Sequence, residues 1–460
     1  MQKNLSDESL NKKVHFVSLG CPKNLVDSEI MLGSLLKEGY SVTDAPEEAD
    51  TVVVNTCGFI EDSKKESIQK ILEMGELKNK GQLKKLVVAG CLTQRYKDEL
   101  VEGLPEADVF LGSGSFQNIA EILKNPGLDE KGEVAKRFFN LPTYLQEDGA
   151  QRVNSQPGHR AYLKISEGCK KRCAFCAIPL IRGNLQSRGL DAVVSESKLL
   201  VAGGVQELIV ISHDFTDYGW DLKRKDPERQ ESPYELLRRL SDESGAKWIR
   251  LLYLYPDGIG PEVVQLIKQR ENLLNYFDMP LQHINDQVLK TMNRRISRQQ
   301  IVDCLDNIRA EIPDATIRTQ FIVGFPGETQ EQFEELLEFV EEQKFDRVGC
   351  FKYSPEENTK AGSMENQVDE ETKQQRYDAL MQLQQTISRE KQQQMIGKVV
   401  PAVIEGVSEE TDLLLQGRTS MQAPDIDGIL YVNEGTAQVG EIVQVEITDA
   451  HDYDLVGHII

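Results

Sequence analysis

Six of the eight cysteines in this 460-residue chain fall into two groups of three. Cys169, Cys173 and Cys176 are separated by three residues and then two, just beyond the apolar stretch Ala161 to Ser166 and the turn Glu167-Gly168. A short loop with that spacing can wrap its thiolates around one 4Fe-4S cubane and leave the fourth iron without a protein ligand. An open iron can hold a substrate, and Phe175, directly before the last cysteine, sets an aromatic ring beside whatever binds there. A zinc loop is the alternative. Zinc sites usually pair two-residue cysteine spacings and complete a tetrahedron with a fourth Cys or His, and none lies close by in the sequence. Cys21, Cys57 and Cys91 form the second group. One such cysteine alone reads as a small core residue. Three at the ends of three similar segments are candidates for a second 4Fe-4S cluster, again with one open iron. Cys304, on a helical pattern, and Cys350, inside an extended run, read as core.

These residues need elements to position them. Val14 to Leu19, Thr51 to Val54 and Leu86 to Ala89 are apolar, β-branched runs, each ending close to a cysteine. Helical periodicity over Val26 to Leu36 and Ser67 to Leu72 separates them, which predicts a parallel sheet flanked by helices. In such open sheets ligands sit outside the carboxyl ends of the strands, so three cysteines roughly thirty-five residues apart converge on one rim. Breakers at Asn125-Pro126-Gly127, Leu141-Pro142 and Gln156-Pro157-Gly158 predict a linker from about Pro126 to Gly158. Beyond it Ala161 to Ser166, Glu207 to Ser212, Ile249 to Leu254, Tyr276 to Gln282, Thr316 to Phe325 and Arg347 to Tyr353 alternate with helical segments. That pattern fits a complete or partial βα barrel with its chemistry at the strand carboxyl ends. A Gln-rich helix, Glu370 to Gln394, leads to short strands at Lys398 to Val407, Leu413 to Gly417, Ile429 to Val432 and Ile442 to Thr448, which predict a small all-β barrel.

Composition narrows the function classes. Hydrophobic residues at 39% and charged residues at 28% fit a globular protein rather than a disordered or membrane one. The polar start, Met1 to Lys13, carries no secretory pattern, and no apolar run spans a bilayer, so a cytoplasmic protein is expected, with no membrane partner. The net charge of -22 argues against broad affinity for nucleic acid, since phosphate binding depends on clustered Lys and Arg. From Gly397 onward 2 basic residues face 12 acidic ones, a balance of -10, which suits a basic partner. Cysteines in a large, unsecreted chain point to metal or redox chemistry rather than a disulfide framework.

The CxxxCxxC spacing of Cys169, Cys173 and Cys176, with Phe175 before the last cysteine, resembles the radical S-adenosylmethionine (SAM) superfamily. The resemblance implies that SAM chelates the open iron and that one electron cleaves it to a 5'-deoxyadenosyl radical able to abstract hydrogen from an unactivated carbon. Gly203-Gly204, before the segment at Glu207, and Ile322-Val323-Gly324-Phe325-Pro326-Gly327 look like that superfamily's SAM-supporting loops, although either alone is also an ordinary tight turn. With the earlier triad and the all-β tail, nearly the whole chain resembles the methylthiotransferase family. This implies an N-terminal methylthiotransferase domain over 1–130, a radical SAM core of partial TIM-like barrel form over 150–387, and an OB-like TRAM barrel over 388–460. It also implies two 4Fe-4S clusters, SAM as both methyl donor and radical source, and an electron donor protein.

Members of the family act either on an adenosine of transfer RNA or on an aspartate of ribosomal small-subunit protein twelve. Ser18-Leu19-Gly20-Cys21-Pro22-Lys23-Asn24, Met279-Pro280-Leu281-Gln282-His283 and Ala423-Pro424-Asp425-Ile426-Asp427-Gly428 look like the ribosomal-protein branch. The acidic tail agrees, because an RNA-gripping barrel is expected to be basic whereas ribosomal proteins are themselves basic. The substrate carbon is then an Asp β-carbon, beyond useful reach of a general base and open to radical abstraction. Arg318 is read as structural before it is read as a carboxylate clamp. Lys170, Lys171 and Arg172 are read as a solvated charge run that can also steer an anion, and His283 is left open. Transfer-RNA modification and a non-enzymatic iron-sulfur or zinc scaffold remain the competing expectations.

Overall fold

The computed structural model describes residues 12–129, 134–142, 145 and 152–460. Most of the Met1 to Lys13 segment therefore lies outside the described residues. The chain divides into two compact units, one formed by residues up to Ser155 with Ser166–Lys170 and Cys176–Arg188, the other by Gln156–Ile165, Lys171–Phe175 and Gly189–Ile460.

The first unit is a six-stranded sheet with parallel pairings throughout. Its strands are β1 (Lys13–Ser18), β2 (Ser41–Val42), β3 (Thr51–Thr56), β4 (Lys85–Gly90), β5 (Val109–Gly112) and β6 (Arg137–Phe138), in the order β2-β1-β3-β4-β5-β6. Every residue of β3 is buried, as expected of a parallel strand covered on both faces, and this is why its sequence is a run of valines without alternation. Helices α1 (Pro22–Lys37), α2 (Glu61–Asn79) and α3 (Cys91–Gly103) return the chain between strands, and α4 (Ile119–Lys124) follows β5. The stretch expected to be a linker contributes β6, which pairs with β5 through Phe110↔Arg137 and Leu111↔Phe138, so the sheet runs past residue 130. Two residues are too few to show a strand period. The unit also takes in a two-stranded ladder, β8 (Ser166–Glu167) with β9 (Gln186–Ser187), and the single-turn helix α5 (Ile178–Ile181) between them.

The second unit holds β7 (Arg160–Lys164), β10 (Glu207–Ile211), β11 (Trp248–Leu251), β12 (Leu273–Gln282), β13 (Thr316–Val323) and β14 (Arg347–Lys352). They form an open, parallel sheet ordered β14-β13-β12-β11-β10-β7, a partial βα barrel. Helix α6 (Leu190–Ala202) leads into β10. The core packs one face of these strands against the surrounding helices, with Leu208, Ile249, Phe277, Ile317 and Phe321 fully buried.

The helix Glu370–Gln393 then leads to a closed barrel of β15 (Val399–Val407), β16 (Leu415–Thr419), β17 (Leu430–Glu434), β18 (Ile442–Ala450) and β19 (Leu455–Ile459), ordered β15-β16-β17-β19-β18. β19 closes it by pairing parallel to β17 and antiparallel to β18. The sequence reading passed over β19 because Gly457 and His458 interrupt its apolar run. Buried ion pairs join this barrel to the central sheet: Glu207 receives Arg250 Nε at 2.7 Å and Arg418 Nη2 at 2.7 Å. Among the described residues no helix is long and apolar enough to cross a membrane.

Candidate functional site

Three strand ends of the first sheet deliver Cys21, Cys57 and Cys91. Cys21 caps the amino end of α1 shortly after β1, Cys57 follows β3 directly, and Cys91 opens α3 directly after β4. The register pairs Ser18 with Asn55, Asn55 with Ala89 and Thr56 with Gly90, which brings the three ends level on the carboxyl rim. Two glycines allow that approach. At Gly20, φ is +85° and a Cβ would lie 2.8 Å from Cys57 Cβ and 3.1 Å from its sulfur. At Gly90, φ is +101° and a Cβ would lie 2.3 Å from Asn55 Oδ1.

Exposure is graded across the triad, with Cys21 exposed, Cys57 half-buried and Cys91 buried. Burial pushes the Cys57 thiol up, with the charge of Cys21 adding to it. Burial likewise pushes Cys91 up to about 12, with Arg182 opposing and Cys21 and Cys57 reinforcing the shift. The three sulfurs therefore sit within electrostatic reach of one another. Thiols so raised are neutral until something cationic replaces their protons, as iron does.

A polar layer that local sequence patterns did not reveal lies behind the triad. Arg182, one residue past α5 and 1% exposed, donates from Nη2 to Cys91 Sγ at 3.2 Å and to Asn24 Oδ1 at 3.1 Å. Its Nη1 meets Asp27 Oδ2 at 2.5 Å, and Glu167 lies 3.6 Å away. Ala177 and Ile181 pack against Cys91, and Ile181 O accepts from Ser113 Oγ at 2.7 Å. The only local signal was an arginine directly after the apolar run Ile178-Pro179-Leu180-Ile181, which reads as a helix end.

Cys169, Cys173 and Cys176 share one loop. In the first unit Cys169 N donates to Gly183 O at 3.2 Å, and Ile178 N approaches Cys176 Sγ at 3.5 Å. In the second unit Arg294 Nη1 lies 4.0 Å from Cys173 Sγ, and Ala174 is strung between Met292 O and Ala361 N at 2.8 Å each. Phe175 packs in a cluster with Ala174, Met292, Phe325 and Tyr353, beyond the carboxyl ends of β13 and β14. Gly324 ends β13 on that same rim at φ +70°, where a Cβ would meet Lys373 Cγ at 2.3 Å. Glu328 accepts from the backbone N–H groups of Gly324 and Phe325, from Arg376 and from His283 Nε2 at 3.2 Å, which gives buried His283 a structural partner.

The structure corrects two expectations. Gly203 and Gly204 terminate α6, Gly203 N bonding Leu199 O and Gly204 N bonding Val201 O, and they stand at the amino end of β10. That rim is opposite to the one carrying Lys171, Phe175 and Gly324, so the pair ends a helix there and does not stand at a strand's carboxyl end. Lys171 is not a solvated charge. Its Nζ lies 3.0 Å from Asp257, 3.7 Å from Asp214, 3.7 Å from Asp217 and 4.0 Å above the Tyr255 ring. Burial pulls its pKa down, but the three acids outweigh burial and raise it. Burial, with Asp217 beside it, lifts the Asp214 carboxyl well above the usual carboxylate range. Arg318 is structural as read, with Nη1 2.8 Å from Asp278 and Nε 3.6 Å from Asp427. Cys350 is buried and Cys304 packs against the central core, as expected of both.

Among the described residues no three His, Cys, Asp or Glu side chains gather closely enough for one metal ion. A cubane spreads its thiolates over separate corners, so its ligands stand wider apart than those of a single ion. The close approaches at Gly20 and Gly90, which let the three strand ends bring Cys21, Cys57 and Cys91 to one rim, fit a group held at several corners.

Comparison with known proteins follows the same division. Residues 13–112 match the uncharacterized protein family UPF0004, residues 163–340 the radical SAM superfamily, and residues 396–460 the TRAM domain. The ribosomal protein uS12 methylthiotransferase RimO of Bdellovibrio bacteriovorus is 70% identical over 450 residues, 98% of each chain. That of Geobacter sulfurreducens is 48% identical over 451 residues, 98% of this chain and 99% of the other. The radical S-adenosylmethionine methyltransferase TsrM from Kitasatospora setae, solved with cobalamin and a 4Fe-4S cluster, shares the fold at a TM-score of 0.55 and 15% identity, covering 77% of this chain and 74% of its own. Identity at this level across nearly the whole length, together with the three domain matches, means that the chain belongs to the RimO family of radical SAM methylthiotransferases.

Proposed function

We propose that this chain replaces a C–H bond at the β-carbon of an aspartate of ribosomal protein uS12 with a C–S bond to a methylthio group. The observation that carries the reading is the presence of two separate cysteine triads in a chain 70% identical to a named uS12 methylthiotransferase. Cys169, Cys173 and Cys176 hold the 4Fe-4S cluster that binds SAM, and Cys21, Cys57 and Cys91 hold a second 4Fe-4S cluster for the sulfur chemistry. When bound, the first cluster and SAM would supply the electron and the radical that open an unactivated C–H bond.

The protein's own residues orient and insulate that chemistry. Phe175 and the Phe325–Tyr353 pair give the loop an apolar wall, the two rings meeting edge-on at 5.3 Å. Gly324 lets the backbone pass closely at the end of β13, where a bound SAM would lie. Arg294 Nη1 sets positive charge beside the Cys173 sulfur, and the backbone N–H of Ile178 sets a donor beside the Cys176 sulfur. The acidic terminal barrel, at -10, draws in a basic protein through complementary potential rather than a phosphate backbone. An electron donor protein completes the partners, and a cytoplasmic setting suits a ribosomal substrate.

Mass spectrometry of uS12 from cells with and without the gene tests the reading. A methylthio increment at an aspartate that disappears with the gene is expected, and an unchanged mass in both strains would remove it. Anaerobic reconstitution should load about eight irons per chain, four for each cubane.

A further inference from the structure

We propose, on the reading that Cys21, Cys57 and Cys91 hold the second cluster, that Arg182 is a positioning residue that raises the reduction potential of that cluster through Cys91. Three observations carry this. The guanidinium is buried at 1% exposure, yet it spends one fork arm on a cysteine sulfur, Nη2 standing 3.2 Å from Cys91 Sγ. Its orientation is fixed by two further acceptors, since Asp27 takes Nη1 and the Asn24 carbonyl oxygen shares Nη2. That carbonyl is itself aimed, because the Asn24 amide nitrogen is committed to Leu19 O at 2.7 Å and to Asn55 O and Thr56 O at 3.3 Å each. A flipped amide would set its oxygen against three backbone carbonyls. Asn24 stands three residues after Cys21, bonds the last residues of the strand before Cys57 and lies 3.9 Å from Cys91 Sγ through its Oδ1, so one side chain ties all three cysteine segments to the arginine.

The consequence follows from charge. Reducing the cluster by one electron, taken from an external low-potential donor, adds one negative charge to the irons and their sulfurs. A donor N–H carrying positive charge beside a ligand sulfur stabilises that reduced state more than the oxidised one, and such bonds are among the determinants of cluster potential. Solvent cannot take over, since Cys91 is only 8% exposed and packs against Ala177 and Ile181. Asp27 and Glu167 oppose the cation, but both meet it at Nη1, whereas the sulfur is met by Nη2. The arrangement is wasteful for stability alone, because a buried cation serves packing no better than an apolar residue of similar volume.

The test uses the full-length chain with Cys169, Cys173 and Cys176 replaced by Ala, reconstituted anaerobically so that only the N-terminal centre remains, and follows its midpoint by EPR-monitored redox titration. R182Q should shift the midpoint to lower potential. R182K, which keeps the charge without the two-armed fork, should fall between R182Q and the parent. Equal midpoints in all three, at equal iron content, would overturn the role of Arg182 while leaving the second cluster standing. If R182Q does not fold or retain iron, R182K against the parent decides alone, a lower midpoint supporting the proposal and an unchanged one overturning it. A parent chain that binds no iron would overturn the two-cluster reading and this inference with it.

Discussion

Cys169, Cys173 and Cys176 are neighbours along a single loop, whereas Cys21, Cys57 and Cys91 are carried to one rim by three parallel strands. A loop fixes the order and spacing of its thiolates in the covalent chain, so most of what it needs is local. A sheet fixes them through register, close packing and a buried polar layer, so its site depends on residues far from any cysteine. The first construction should therefore be sensitive to its ligands and tolerant elsewhere. The second should be sensitive to its surroundings.

The largest expected effect breaks the loop triad. Cys173→Ala should abolish modified uS12 while iron falls only to about half, since the strand-borne triad keeps its share. Iron analysis beside an activity assay checks this, and loss of all iron would mean that the triads do not load independently. Next comes a change at the amino end of β10 in the central sheet. Glu207→Gln leaves Arg250 and Arg418 without their buried carboxylate and should cost about 3–5 kcal/mol of stability while the iron content of folded protein stays unchanged. Denaturant unfolding reads the first quantity and metal analysis the second.

The same residue makes a pH prediction. Burial raises the Glu207 carboxyl, but Arg418 and Arg250 outweigh it and hold it down from the ordinary 4.5 to about 2. A depressed pKa stabilises the fold above the unfolded value, so this contribution is complete above about pH 4.5 and disappears as pH falls through about 2. The stability difference between Glu207→Gln and the parent should thus stay flat from pH 7 to 5 and shrink only in stronger acid. A difference that vanishes at pH 5 would mean the carboxylate is not held by those arginines.

Gly90→Ala tests the strand-built site without removing a sulfur. The added Cβ would strike Asn55 Oδ1 at 2.3 Å and Thr56 O at 2.7 Å in a backbone conformation that favours glycine. A cost of about 1–3 kcal/mol is expected, with roughly half the iron lost as the three ends separate. The smallest effect is expected at Gly203→Ala. Its φ is -77° and its Cβ would stand 3.2 Å from Leu200 O, so stability should move by less than about 1 kcal/mol and activity should not fall. A large loss of SAM binding there would restore the glycine pair to the site.

The difference between the triads also governs how much could be read from the chain. The loop triad was legible because its spacing is itself the geometry. The other was legible only as three strand ends, since alternating strands and helices imply a rim without saying what lies behind it. Arg182 escaped because its partners Asn24 and Asp27 are 158 and 155 positions away, a distance no periodicity spans. Gly203-Gly204 misled because a glycine pair before a strand looks the same whether it ends a helix or cradles a ligand, and only the direction of β10 separates the two. Strand β6 was too short, and β19 too interrupted, for a period-two pattern to register.

The level strand ends of the first sheet also decide where this part of the molecule tolerates change in length. A residue added within α2, or in the turn after it, lengthens only the return path and leaves Cys57 and Cys91 at the ends of the same paired strands. A residue added inside β3 advances Cys57 by one strand step, about 3.3 Å, and turns its side chain to the other face of the sheet. Natural or engineered length variation that keeps this centre should therefore collect in the helical returns and spare the strands.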